Sequence, residues 1–173
     1  MILKPFEHSS PFKFEVNIEK NEEFLIIKYY WKNSSELLFP PSENIPQRKH
    51  NLWKETCLEF FLLNEEKGEY LEFNFSPNQD WNCYHFLSYR KGMSEYSIVQ
   101  PIFKMTENSL EVRIELNGID FQQYSSIQIS VVAKDKQQRI HYYALNHPTQ
   151  KPDFHNTDHF QKISDLFCQT TNK

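Results

Sequence analysis

Between Leu52 and Pro77 the chain reads LWKETCLEFFLLNEEKGEYLEFNFSP, two alternating runs joined by a charged turn that holds one glycine. In an extended chain successive side chains point to opposite faces, so Leu58, Phe60 and Leu62 share a face of the first run, and Leu71, Phe73 and Phe75 a face of the second. The opposite parity collects Trp53, Glu55, Cys57, Glu59 and Phe61, then Tyr70, Glu72, Asn74 and Ser76. A hairpin written this way must lay its greasy face on a core, which limits the fold to one built on an antiparallel sheet. Its other face, with carboxylates, an amide and an indole, suits a polar ligand with an apolar edge.

The same period recurs along the chain. Phe12, Phe14, Val16 and Ile18 alternate with polar residues and predict a strand over Phe12 to Glu19, paired as a hairpin with the apolar run Phe24 to Lys32. Leu38 to Asn51 carries three prolines and reads as a long surface loop that could wall a site. Further strands are predicted over Trp81 to Arg90, at an edge over Ser97 to Lys104 where Pro101 intrudes, over Leu110 to Leu116, through Ile127 to Ala133, and over Ile140 to Asn146. Phe121 to Tyr124 suggests a short helical turn, His147 to His159 an irregular loop, and Phe160 to Ile163 a last short strand. The spacing predicts an all-β antiparallel sandwich with little helix. It forms a single domain over residues 1–168, with a frayed tail over 169–173.

Composition excludes several classes of function. The formal charge of −4, with Lys and Arg scattered, argues against a nucleic-acid partner. Three isolated glycines cannot build a phosphate-cradling loop, and no G-x-S-x-G nucleophile elbow occurs. Cys57, Cys83 and Cys168 show no C-x-x-C spacing and read as free thiols. With no apolar run of spanning length and no signal-like start, the expectation is a cytoplasmic protein with no membrane partner.

Four stretches, LWKETCLEFFL, EYLEFNFSPNQDWNCYHF, YRKGM and ALNHPTQKPDFHNTDHF, resemble the DOMON-like proteins related to family 9 carbohydrate-binding modules. The resemblance implies a β-sandwich that holds a sugar or a haem on its concave sheet. In the sugar-binding relatives two aromatic side chains clamp a sugar while a carboxylate, an arginine and amides bind its hydroxyls. Trp53 matches the first aromatic, Glu59 the carboxylate and Asn74 an amide. The chain departs from that pattern twice: Glu72 stands where the arginine is expected, and Phe154 replaces the second tryptophan. Arg90 could supply the cation. Lys151, Phe154 and His155 of KPDFH could wall the concave face, and Trp81 completes the ligand-binding candidates.

These residues favour a non-catalytic module for a carbohydrate or another polyhydroxylated small molecule. Two alternatives stand beside it. A haem-binding electron-transfer domain would use Met93 with His147 or His155 as axial ligands, and a glycan hydrolase would use Glu59 and Glu72 as its acid pair. His141, His147, His155 and His159, with Asp153 and Asp158, invite a metal reading, but His155 and His159 are four apart, a spacing that points two ligands the same way only on a helix, and their segment reads as loop. Calcium, found in some relatives, is compatible with the resemblance. The residues do not specify an oligomeric state.

Overall fold

In the computed structural model, which describes residues 1–32, 34–41 and 45–167, two antiparallel sheets pack face to face. The smaller sheet is built from β2 (Lys13–Lys20), β3 (Phe24–Lys32), β8 (Ile102–Thr106) and β9 (Ser109–Glu115), in the order β2-β3-β9-β8. The larger runs β1-β11-β10-β4-β5-β6-β7. Its strands are β1 (Lys4–Pro5), β4 (Cys57–Asn64), β5 (Glu69–Phe75), β6 (Trp81–Phe86), β7 (Ser94–Glu95), β10 (Ser126–Lys134) and β11 (Ile140–Ala144). The short β12 (Gln161–Lys162) pairs with β10, and α1 (Ile163–Phe167) follows it. The expected all-β sandwich is observed. The predicted tail over 169–173, like Cys168, lies outside the described residues, and no described helix is long and apolar enough to cross a membrane.

The core lies where alternation placed it. Leu58, Phe60 and Leu62 of β4 and Leu71, Phe73 and Phe75 of β5 are buried against Leu25, Ile27 and Tyr29 of β3 and Leu110, Val112 and Ile114 of β9. Ile127, Ile129, Val131 and Ala133 of β10 continue the same inner face. One bond crosses the layers at the centre, where the Tyr29 hydroxyl donates to the Glu59 carbonyl at 3.0 Å. The β4–β5 turn closes on Gly68, whose φ of 71° is a left-handed conformation that glycine adopts without a Cβ penalty. Its amide donates to the Asn64 carbonyl at 2.8 Å.

Several boundaries differ from the sequence reading. Trp53 is not on a strand. Asn51 adopts φ 62°, and Leu52–Lys54 form a 3-10 turn whose carbonyl at Leu52 accepts the Glu55 amide, so β4 starts at Cys57. The strand from Trp81 ends at Phe86 because the chain doubles back through a tight turn, with Arg90 at φ 53° and the Leu87 amide donating to the Lys91 carbonyl at 3.0 Å. The strand foreseen over Ser97 to Lys104 begins only at Ile102, just past Pro101, and runs to Thr106 on the edge of its sheet. The last segment gives a two-residue strand and then one helical turn.

Candidate functional site

The outer face of the larger sheet is not bare. Opposite parity on β4, β5 and β6 turns out Cys57, Phe61, Tyr70, Tyr84 and Phe86, which form a second apolar cluster with Val132 of β10 and Phe154 of the loop beyond β11. Three irregular segments cover that cluster: the turn carrying Trp53, the turn after β6 with Arg90 and Met93, and the loop from Pro152 to His155. Between them lies a cleft of about 520 Å³ whose floor includes Glu59 and Glu72 and whose aromatic walls are Trp53, Phe86, Tyr142 and Phe154.

Strand register explains why the floor is polar. Glu59 pairs with Asn74 on β5 and with Ser130 on β10, and Glu72 pairs with Phe61, so the two carboxylates sit on neighbouring strands one residue pair apart along the same face. The Ser130 hydroxyl donates to Glu59 Oε2 at 2.7 Å, and the Asn74 amide donates to Glu72 Oε1 at 2.7 Å. The Cys57 thiol lies 3.6 Å from the Asn74 carbonyl oxygen, a weak donor behind the amide. Both acids are almost fully buried, with 3 % and 4 % of their surface exposed.

Burial shapes the electrostatics. It raises both carboxyls above the ordinary carboxylate range; the neighbouring Glu72 raises Glu59 further, while Ser130, Asn74 and the Arg90 charge pull the other way. Arg90 donates to Asp153 Oδ1 at 2.9 Å, and the Tyr89 hydroxyl donates to the other oxygen at 2.6 Å. Burial works against the Asp153 charge, but these donors outweigh it and hold that carboxyl below its usual value. His155 is pushed down to about 4, first by burial and then by the Arg90 charge, so its ring is neutral at physiological pH.

The contacts around His155 favour one arrangement of its proton. The Arg90 amide donates to the Tyr70 hydroxyl oxygen at 3.2 Å, and that hydroxyl lies 2.8 Å from His155 Nδ1. With its oxygen accepting from Arg90, Tyr70 can donate to Nδ1 of the neutral ring, which puts the imidazole proton on Nε2; that nitrogen faces Glu72 Oε2 at 3.7 Å, beyond hydrogen-bond reach. Edge-on contacts from Phe61, Tyr70 and Phe86, with centroids 5.3–5.8 Å away, keep the ring in that plane.

Six of the sugar-site candidates thus surround one cleft: Trp53, Glu59, Glu72, Arg90, Phe154 and His155. Asn74 lies behind it, fully buried, and acts on the cleft through Glu72. Trp81 lies elsewhere. Phe75 pairs with Trp81, so both side chains face the inner core, where the Trp81 ring is covered by the Arg48 guanidinium at 4.5 Å. Lys151 is exposed and outside the cleft lining. Ser130, Val132 and Tyr142 were not named from the sequence. The alternation of β10 against Ile129 and Val131 is the signal that turns Ser130 and Val132 outward.

The alternative ligands can be placed as well. Among the described residues no group of three or more His, Cys, Asp or Glu is arranged to hold a metal ion. His141 bonds Asp135 at 3.2 Å, and His147 donates from Nε2 to the Lys4 carbonyl at 2.8 Å beside a different cleft. Met93 shares the main cleft with His155, whose Nδ1 is engaged by Tyr70 and whose Nε2 faces Glu72.

No family model and no curated protein sequence matches the chain. Its fold is similar to that of a putative carbohydrate-binding protein from Bacteroides uniformis ATCC 8492, with a TM-score of 0.65 and 15 % sequence identity, covering 92 % of this chain and 84 % of that one. At that identity the likeness describes the fold.

Proposed function

We propose that this chain is a non-catalytic binding module of DOMON-like type, and that its cleft takes a carbohydrate or a similar polyhydroxylated small molecule. The observation that carries the reading is the pairing of two buried carboxyl groups with an aromatic wall around a cleft of about 520 Å³. A pyranose has apolar C–H faces that pack on an indole, and vicinal hydroxyls that pair with carboxylate and amide groups. Ser130 and Asn74 each hold one oxygen of the acids in place, so the floor is set before a ligand arrives. The carbohydrate-binding description of the Bacteroides uniformis protein, which shares this fold, supports the same class of ligand.

Titration calorimetry and tryptophan fluorescence with a panel of mono- and oligosaccharides test the reading. Trp31 and Trp81 are buried in the inner core, so a ligand in the cleft should report through Trp53. Trp53→Ala is expected to weaken binding by about tenfold or more, the loss of one aromatic platform, and to remove the fluorescence response. If no member of the panel gives heat or a spectral change, the module does not bind sugars.

A further inference from the structure

Once ionised, the two acids of the cleft have no matching cation. Glu59 and Glu72 bring two buried carboxyl groups to the floor. The guanidinium of Arg90 is matched by Asp153 at 2.9 Å, and the Tyr89 hydroxyl completes that carboxylate. Ser130 and Asn74 are neutral donors, and His155, enclosed by Phe61, Tyr70 and Phe86 and facing the Arg90 charge, is an uncharged ring between Tyr70 and Glu72. The remaining titratable groups that face the acids are Tyr70, Tyr84 and Cys57 on the cleft side and Tyr29 and Cys83 on the core side, all neutral when protonated. Among the described residues the cleft lining therefore has an acidic pair with no cation of its own to spare.

We infer that the ligand carries a protonated amine, a polyhydroxylated amine of the amino-sugar class whose ammonium sits against Glu59 and Glu72 beneath the aromatic walls. The inference rests on the polyhydroxyl reading above and narrows it. An ammonium offers three donors in a compact charge, enough to bridge the two acids on adjacent strands while Ser130 and Asn74 each hold one oxygen of an acid. The faces of Trp53, Tyr142 and Phe154 attract a cation, and they do so more strongly in a site shielded from water. A neutral sugar would fill the same space but leave the acid pair to be neutralised by protons. An amine neutralises the pair itself, so the protons the acids hold are released when it binds.

Calorimetry on the full chain with matched probes tests this: glucosamine against glucose and N-acetylglucosamine, and galactosamine against galactose. The amine is expected to bind about tenfold or more tightly than its neutral partners, the worth of one or two charge-assisted bonds. Repeating the titration in buffers of different ionisation heat should show net proton release for the amine and little for the neutral sugar. Glu59→Gln, Glu72→Gln and the double variant should progressively erase the preference while circular dichroism stays native. Equal affinity for amine and neutral sugar in the wild type overturns the inference and leaves the polyhydroxyl reading intact. A preference that survives in a folded double variant overturns the assigned place of the ammonium. Failure of every probe, amine or neutral, overturns both readings.

Discussion

Replacing Phe73 by alanine is expected to lower the unfolding free energy by about 3–5 kcal/mol, the range for emptying a buried aromatic site. Phe73 sits mid-strand on β5, with no exposed surface, opposite Phe60 on β4 and Cys83 on β6. Its ring centroid lies 5.9 Å from that of Phe60 and 6.4 Å from that of Phe75, so the cavity would open between three strands of the larger sheet, where neighbours have least freedom to collapse. A loss of that size is a large share of the 5–15 kcal/mol that typically separates folded from unfolded domains. Trp53→Ala makes the contrast. That side chain stands on a surface turn and touches Tyr84 edge-on at 6.0 Å, so its removal should cost stability about 1 kcal/mol or less while acting on binding. Urea unfolding of the two variants separates the roles. A small loss in Phe73→Ala would mean that the two sheets do not meet at this strand.

Much of this architecture is written in alternation, and the errors show where alternation stops carrying information. β4, β5, β9 and β10 each keep strict parity over seven residues or more, and their inner and outer faces follow from that parity alone. Glu59 and Glu72 fall on the outer face for the same reason. Parity fails across a break in the strand. The turn between β5 and β6 resets the phase, and its geometry, with Gln79 at φ 75° and the Ser76 amide donating to Asp80, leaves Trp81 on the inner face with Phe75. Trp53 shows the converse: it reaches the cleft by a 3-10 turn seeded at Asn51, although the strand parity assumed for it does not apply. The Arg90–Asp153 pair joins residues 63 apart in sequence on two turns, a contact that only tertiary packing creates. Lys151 and His155 belong to one loop, yet the Pro152–His155 stretch folds inward and Lys151 stays in solvent, a difference no local pattern encodes.

Glu59→Gln is expected to leave stability nearly unchanged in mild acid and to raise it progressively as pH rises, by about 1–3 kcal/mol at slightly alkaline pH. The sign follows from burial. Both Glu59 and Glu72 hold their protons to higher pH in the folded chain than in the unfolded one, first because they are buried and, for Glu59, because Glu72 lies beside it. Below the ordinary carboxylate range both states are protonated and the group contributes its full stability. As pH rises, the unfolded chain releases the proton first, so that stability is lost up to the raised folded value. His155 acts in the opposite direction, because its folded value near 4 lies below that of a free histidine, and stability falls as acid protonates the unfolded chain first. The two effects overlap in the wild-type curve, so the informative quantity is the difference between wild type and variant at each pH. Glutamine keeps a carbonyl acceptor for the Ser130 hydroxyl and puts a neutral amide where the ionisable oxygen stood, so the side chain can no longer take up charge. Urea midpoints at pH 4, 6 and 8 give the difference directly: a gap that widens with pH is expected, a constant gap would mean that Glu59 titrates alike in the folded and unfolded chains, and a variant less stable than wild type at pH 8 would mean that the fold stabilises the ionised carboxylate; either result overturns the buried, proton-holding acid on the cleft floor.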